Sequence, residues 1–415
     1  MARMVAPNRG ECARPLQLFN DFLRGNRIQM TLDTRPILAA IDHSRPWMDQ
    51  LLAALVAIPT ENPPGLEYDA CVDRLESAAS SRGLWSERIA IESNPPRTAL
   101  IASVGEGTPS LYFHGHYDVV PACTRDQFAP RQEGDTLFGR GSSDMKSGLV
   151  AMLAAADALR VSRARLNGRL TLLFVPDEET GGATGSARLA ATGRLGRDGI
   201  GMLLPEPTSG RIWNGNRGAI SLTVTVRGRS AHVGLMQQGV NAVERALPAL
   251  ERLFALKRDI DARGSLLLIG GRVEAGSNFN VVPDECRFSV DRRTNPDEDF
   301  DVEKQRLLET IRASLEGADA TVDVFQEGRS SSTPIDHELG TMLRGAIEEV
   351  AGEAPIVEPC PGLLETRFYA ERGVPAYAYG PGILAVSHGP NEFVKLPKVA
   401  ECAKIYALTA LRMLT

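Results

Sequence analysis

The chain is predicted to be an α/β protein: a mostly parallel sheet with helices on both faces, carrying an inserted ferredoxin-like α+β domain. Three observations predict it. First, short apolar runs at 98–105, 110–118, 169–175 and 199–204 read as strands, and the run 144–161 between them reads as a helix. Strands interleaved with helices call for a parallel sheet covered on both sides. Second, the texture changes at residue 219, where "AISLTVTVRG" alternates strictly and puts Ile220, Leu222, Val224 and Val226 on one face of a half-exposed strand. A helix with Val243, Leu247, Leu250 and Phe254 at helical spacing follows, then strands near 265–274 and 284–293, a helix near 299–316 and a strand at 320–325. That βαββαβ order is the ferredoxin-like one. Third, the helix–strand texture resumes after Pro334 with "ELGTMLRGAIEEVAG" and "VPAYAYG". The larger domain is therefore expected at 45–217 and 330–415, the insert at 218–329, and an extension with the first helix region at 1–44.

At 415 residues the chain is longer than single hydrophobic cores usually grow, which agrees with two domains. Its net charge of −6 gives no basic surface for neutralising phosphates, so nucleic acid is not an expected partner; a small molecule is. The six cysteines lie far apart with no CxxC pair, which fits a reducing cytoplasm better than a disulfide framework or a zinc ribbon. No apolar run approaches the ~20 residues that span a bilayer, and the first 30 residues lack the apolar stretch of a secretory signal. They read as a loosely packed extension, with Met30 as a candidate working start.

The stretch "LFVPDEETGG" sets Asp177, Glu178 and Glu179 where a buried strand should be ending. Alone it reads as a charged turn. Other polar groups follow the other strands: His116 and Asp118 in "HGHYDVV", Asp144 at the end of the glycine-rich "GRGSSD", and Glu206 in "LLPEPTSG", with His388 in the late loop "VSHGPNE". Each has a bland explanation; Asp144, for one, could simply cap a helix. In an open α/β sheet, however, the carboxyl ends of the strands line one crevice, where ligands bind. So many polar groups ending at one crevice outweigh separate coincidences.

Two imidazoles and several carboxylates gathered in a low-dielectric cleft repel unless cations offset them. A pair of divalent metals would do so, and an N/O donor set without thiolate suits zinc, with manganese or cobalt as alternatives. Ions about 3.5–4 Å apart need a bridging carboxylate. The short, stiffly held side chain of Asp144 qualifies.

Taken in order, these motifs resemble the dinuclear zinc metallopeptidase and amidohydrolase family that includes acetylornithine deacetylase, succinyl-diaminopimelate desuccinylase, aminoacylase-1 and glutamate carboxypeptidase. The resemblance runs from "IPTENPPG" (58–65) to "SHGPNEFV" (387–394). It implies that His116 and Glu206 bind one metal, that Glu179 and His388 bind the other, and that Asp144 bridges them. Asp118 would orient the His116 ring. Glu178 would be the general base, taking a proton from metal-activated water and passing it to the leaving nitrogen of an amide. It further implies that His232 in the insert stabilises the tetrahedral oxyanion, across a dimer interface or on lid closure, and that Asn280, Arg293 and Arg367 contact a substrate carrying a carboxylate. His114 is expected to be structural, and His43 and His337 to have no part in catalysis.

Where many members of the family carry "GGTDAR", this chain has "PGLLETRF", with Glu365 in place of Asp and the bulky Leu363 and Leu364 in place of small residues. That bears on the substrate pocket more than on the reaction. The expected activity is hydrolysis of the amide bond of a small N-acyl amino acid, as in the deacetylase and desuccinylase branch. A carboxypeptidase or dipeptidase, a hydrolytic deaminase releasing ammonia, and a non-catalytic metal-binding module are the alternatives. The last should have lost a ligand or the base, and all are present. The resemblance also implies a homodimer, with "AISLTVTVRG" as the pairing edge strand.

Overall fold

A computed structural model of the chain describes residues 33–93 and 96–415. The proposed extension, including Met30, lies outside the described residues except for its last part. There, helix α1 (Arg35–Val56) runs across the expected boundary at 44/45. From Ile37 onward it shares one core: Ile37 and Ile41 are buried together with Leu51, Leu52 and Leu55.

After α1 come α2 (Tyr68–Ser81), β1 (Trp85–Ser93), β2 (Pro96–Gly105), β3 (Ser110–His116), the short strands β4 (Arg131–Glu133) and β5 (Thr136–Phe138), α3 (Ser147–Val161), β6 (Arg169–Val175), α4 (Ser186–Ala191), β7 (Gly199–Leu204) and β8 (Ile212–Asn216). The insert contributes β9 (Gly218–Arg227), α5 (Ala242–Ala262), β10 (Leu266–Ala275), β11 (Glu285–Thr294), α6 (Phe300–Ser314) and β12 (Asp319–Gly328). The chain then returns through β13 (Ser331–Ser332), α7 (Glu338–Ala351), β14 (Val357–Cys360), α8 (Thr366–Ala370), β15 (Ala376–Ala378), β16 (Phe393–Lys395) and α9 (Leu396–Met413).

The central sheet has the order β1-β2-β6-β3-β7-β15-β8-β13, with β14 also on β8. Its middle is parallel: β3 pairs in parallel with both β6 and β7, and β15 with β7. Antiparallel pairing appears toward the margins, at β1/β2, β2/β6 and β13/β8. Helix α3 is apolar all round, and nearly all its residues are buried, because it is covered on both sides. Residues 144–146 do not belong to it. Asp144 takes extended angles (φ −120°, ψ 97°) and precedes the helix by three residues, so it does not cap it. The parallel order sets the carboxyl ends of β6, β3 and β7 side by side, and the acidic turns leave from those ends.

The insert forms its own four-stranded sheet, β10-β11-β9-β12, all antiparallel, with a separate hydrophobic cluster against α5 and α6. Two expectations are corrected here. Strand β9 is not an edge: β11 and β12 flank it, and even its second face is closed, with Ser221 and Thr225 buried. The edges are β10 and β12. In α5 the buried face is Ala242, Ala246, Ala249, Leu253, Leu256 and Ile260, whereas Val243, Leu247 and Phe254 are 41%, 51% and 52% exposed. The alanines let the helix approach the sheet closely, which rotates the larger side chains outward.

The insert also buries a polar cluster. Arg292 is fully buried and donates to Ser265 Oγ at 2.6 Å, Glu298 Oε1 at 2.5 Å and Glu303 Oε2 at 2.8 Å. Burial works against charge on Glu298 and Glu303. Donation from Ser265 and Arg292 to Glu298, and from Arg263 and Arg292 to Glu303, outweighs it and holds both carboxyls below their usual range. Arg292→Ala leaves buried carboxylates uncompensated and is expected to cost about 3–5 kcal/mol in urea unfolding. A carboxyl depressed in the folded state stabilises above its unfolded pKa, about 4.3 for Glu, and that contribution fades as pH falls through the folded value. The stability gap between wild type and the variant should therefore be full at pH 7 and shrink below pH ~4; a gap that stays constant to pH 3 would contradict this account.

Candidate metal centre

β3 ends on His116, β6 runs into Pro176 and the turn Asp177–Thr180, and β7 runs into Glu206. His116 Nε2 lies 3.4 Å from Asp144 Oδ1 and 3.9 Å from Glu206 Oε1. His388 Nε2 lies 3.3 Å from both Asp144 Oδ2 and Glu179 Oε2. The Asp144 carboxylate thus faces one imidazole with each oxygen. Donor atoms of His116, Asp144 and Glu179 all fall within 4.8 Å of one another, the spacing of groups that share a metal ion. His116 Nε2 and Glu206 Oε1 are buried with no hydrogen-bond partner. Native structures rarely leave such atoms unpaired, and a cation between them satisfies both.

The supporting contacts explain the three acids in a row. Asp177 is turned away from the cluster, 3.1 Å from the Arg97 guanidinium, and accepts from Asn62 Nδ2 at 3.2 Å. Its backbone is left-handed (φ 75°), which bends the chain so that the next two side chains turn to the crevice. Asp118, fully buried, accepts from the main-chain N–H groups of Glu178 and Glu179, each at 3.2 Å, and from Asn62 Nδ2 at 2.8 Å. The same residue meets the His116 ring: Nδ1 is 2.9 Å from its carbonyl oxygen and 3.4 Å from its carboxylate. One aspartate therefore fixes both the imidazole and the glutamate turn, with the carbonyl as the closer contact to the ring.

Electrostatics follow from crowding. Burial pushes the Glu178 carboxyl up to about 8; His116 opposes this, and Glu179, Glu365 and Asp118 add to it. Glu206 is driven well above the usual range by burial and then by the charge of Asp144. For Asp144 burial acts upward, but hydrogen bonds from His116 and His388 hold it low. Contacts with Asp144 and Glu179 raise His388 to about 10. Charge on the imidazoles and charge on the Asp144 carboxylate therefore favour one another.

His114 is fully buried on β3, 2.6 Å from Glu365 Oε2 and 3.0 Å from the Tyr369 hydroxyl, which accounts for Glu365 in "PGLLETRF". Arg367 is buried as well. Its guanidinium donates to the carbonyls of Leu364 (2.7 Å) and Gly181 (2.8 Å), the latter in the glutamate turn. Arg293 pairs with Asp291 at 2.7 Å. His232 is exposed in the insert, where its Nδ1 accepts from the Gly234 N–H at 3.1 Å, and it bridges to Val281 beside Asn280. These insert residues are not brought to the cluster. His337 caps α7, and His43 is exposed on α1. Sequence reasoning passed over Asn62, Arg97, Arg140 and Glu392. Asn62, Arg140 and Glu392 all sit inside the motifs named above, but nothing local marks an asparagine, an arginine or an extra glutamate as a partner of a distant turn.

The sequence pattern of peptidase family M20/M25/M40 matches residues 112–412. The chain belongs to that family. It is 32% identical over 331 residues to a succinyl-diaminopimelate desuccinylase of Xylella fastidiosa (strain 9a5c), a match covering 76% of this chain and 86% of that protein. In fold it is similar to the dipeptidase Dug1p of Saccharomyces cerevisiae (TM-score 0.75, 15% identity, 92% of this chain and 98% of that one). It is likewise similar to a dinuclear metal binding M20 peptidase of Bacillus subtilis (TM-score 0.66, 16% identity, 90% of this chain and 99% of that one). This family member is a hydrolase of amide bonds. The same fold-level likeness accompanies the inserted domain expected from the βαββαβ pattern. Among the described residues, no helix is long and apolar enough to cross a membrane.

With its pKa raised to about 10, His388 carries a proton near pH 7, which a metal ion bound at this imidazole would displace. Apparent affinity is expected to rise from pH 6 to pH 8. Calorimetric titration in two buffers of different ionisation enthalpy should show proton release, and a buffer-independent heat would count against this ligand set.

Proposed function

We propose that the protein hydrolyses a small N-acyl amino acid, with His116 and Glu206 holding one divalent ion, Glu179 and His388 the other, and Asp144 between them. The observation that carries the reading is the pair of unsatisfied buried atoms, His116 Nε2 and Glu206 Oε1, facing a carboxylate shared with His388. Zinc best suits these nitrogen and oxygen donors. Bound there, the ions supply Lewis acidity that lowers the pKa of water and polarises a carbonyl.

Glu178 is the general base. Its side chain is partly open to the crevice, its main chain is anchored on Asp118, and its raised pKa suits it both to accept a proton and to return one. It takes the proton of the attacking water and delivers it to the leaving nitrogen, so that the amide C–N bond breaks to a carboxylate and an amine. Asp118 keeps the His116 ring oriented meanwhile. Arg367, with its terminal nitrogens committed to Leu364 and Gly181, acts on the substrate carboxylate less directly than by bracing the glutamate turn. Asn280 and Arg293 belong to the insert, which serves as lid; Arg293 reaches a substrate carboxylate only by leaving Asp291. His232, exposed and unattached to the cluster, meets the oxyanion after lid movement or from a second copy.

A homodimer is supported by the outward Val243, Leu247 and Phe254 of α5 and the exposed Leu266, Leu268 and Val273 of edge strand β10. Among the described residues the cysteines are unpaired and four of them are buried, which favours a reducing, cytoplasmic setting. Peptide substrates are the second reading, favoured by the likeness to Dug1p.

Glu178→Ala is expected to lower kcat by about 10²–10⁴-fold with metal content intact. The assay is release of amine, acyl acid and ammonia from N-succinyl and N-acetyl amino acids and from dipeptides. Ammonia without acyl acid would replace the amide reading with deamination, and unchanged kcat in the variant would remove Glu178 from its role. Light scattering should give the mass of two chains, reduced to one by Leu247→Glu with Phe254→Glu; a wild-type monomer would rule out catalysis by His232 across an interface.

A further inference from the structure

We propose that Arg140 and Glu392 are a buried positioning pair that sets the distance between Asp144 and His388, and with it the affinity of the metal that His388 holds; Asp144 and His388 are taken as ligands, as above. Glu392 is almost wholly enclosed and uses both oxygens. Oε1 accepts the main-chain N–H groups of Ser143 (2.9 Å) and Asp144 (3.0 Å), and Oε2 meets Arg140 at 2.5 Å. The other terminal nitrogen of Arg140 donates to the carbonyl of His388 at 3.1 Å. Two ionised side chains thus join the backbone of one ligand to the backbone of another about 250 residues away.

The fold delivers this contact by register. β16 pairs antiparallel with β5, Phe393 opposite Phe138, which sets Glu392 beside Gly139, whose N–H donates to the Glu392 carbonyl at 3.0 Å. Arg140 is the next residue. Smaller contacts run parallel to the pair: Gln127 Nε2 donates to the Gly389 carbonyl at 3.0 Å, and Ser143 Oγ accepts from the Ile383 N–H at 2.7 Å. Gly382 lies so close that a Cβ there would come within 2.3 Å of the Ser143 carbonyl. The loop bearing His388 is pressed onto the loop bearing Asp144.

Stability gives little reason to bury these charges, because apolar residues of similar volume usually do as well or better. Position gives a reason. Asp144 has non-helical backbone angles within the irregular turn Ser142–Lys146, yet its oxygens must address His116 and His388 at once. Glu392 satisfies two N–H groups that would otherwise be orphaned and so fixes where that carboxylate points. His388 sits at φ 64° in a loop, and its carbonyl is held by Arg140. Asp144 serves both ions, but the remaining first-site donors, His116 and Glu206, come from sheet strand ends, whereas His388 is itself held by Arg140 through its carbonyl. Loss of the pair therefore acts more strongly on the Glu179–His388 side.

The test is cobalt(II) titration of metal-stripped full-length protein, read by visible d–d absorption and by competition with a chelator. Wild type is expected to take up two ions. Glu392→Gln, which turns an amide N–H₂ or loses the charge toward Arg140, and Arg140→Lys, which keeps the charge but cannot span both acceptors, should bind the first ion within about threefold of wild type and the second about 10–100-fold more weakly. Asp144→Asn is the control for the ligand reading: two ions bound as in wild type would overturn that reading and the pair with it. Normal loss in Asp144→Asn with unchanged binding of both ions in the pair variants would overturn the positioning role alone. So would equal weakening of both ions with a lowered melting temperature of the metal-free protein, since that is what a merely structural pair produces. Should Glu392→Gln not fold, Arg140→Lys decides.

Discussion

Everything in this protein is arranged around a crowd of carboxylates that cannot all be charged in one place without cations. Asp144, Glu179 and Glu206 converge with two imidazoles where three parallel strands end. Burial drives some of these acids toward neutrality while the imidazoles hold Asp144 ionised. Such a cluster is costly to build by folding alone, and a bound metal ion would turn its cost into binding affinity. The hydrolytic chemistry of the family draws on the same field.

The constraint reaches outward in shells of hydrogen bonds. Asp118 joins the His116 ring to the glutamate turn, Asn62 joins Asp118 to Asp177 and Thr180, and Arg97 neutralises Asp177. Three adjacent acids thereby take different positions: the first is a structural anchor, and the next two face the crevice. Their division follows from the left-handed turn at Asp177, since successive residues of an extended chain would have pointed to opposite sides.

The inserted domain obeys a separate economy. It has its own hydrophobic cluster and its own buried charge network around Arg292, and it connects to the larger domain at two adjacent chain crossings, after β8 and before β13. Its helix α5 presents alanines inward and Val243, Leu247 and Phe254 outward. Periodicity identified an apolar stripe on this helix, but two stripes lie on neighbouring faces, and close approach to a sheet selected the one with the smaller side chains.

Much was legible beforehand because it is local. Strand and helix texture, the βαββαβ order, and polar residues at strand ends are written within windows of about ten residues. With the parallel sheet they suffice to gather His116, Glu178, Glu179 and Glu206. What stayed hidden depends on register and contact between distant segments. That β9 is interior is decided by its two neighbours, β11 and β12. That the N–H of Asp144, ahead of the helix, is met by the Glu392 carboxylate from far along the chain could not be read locally. The sequence by itself determined which chemical groups the protein owns and which strand ends carry them; only the tertiary structure decided which faces are covered and which groups meet, because pairing and burial are properties of segments brought together and of no segment alone.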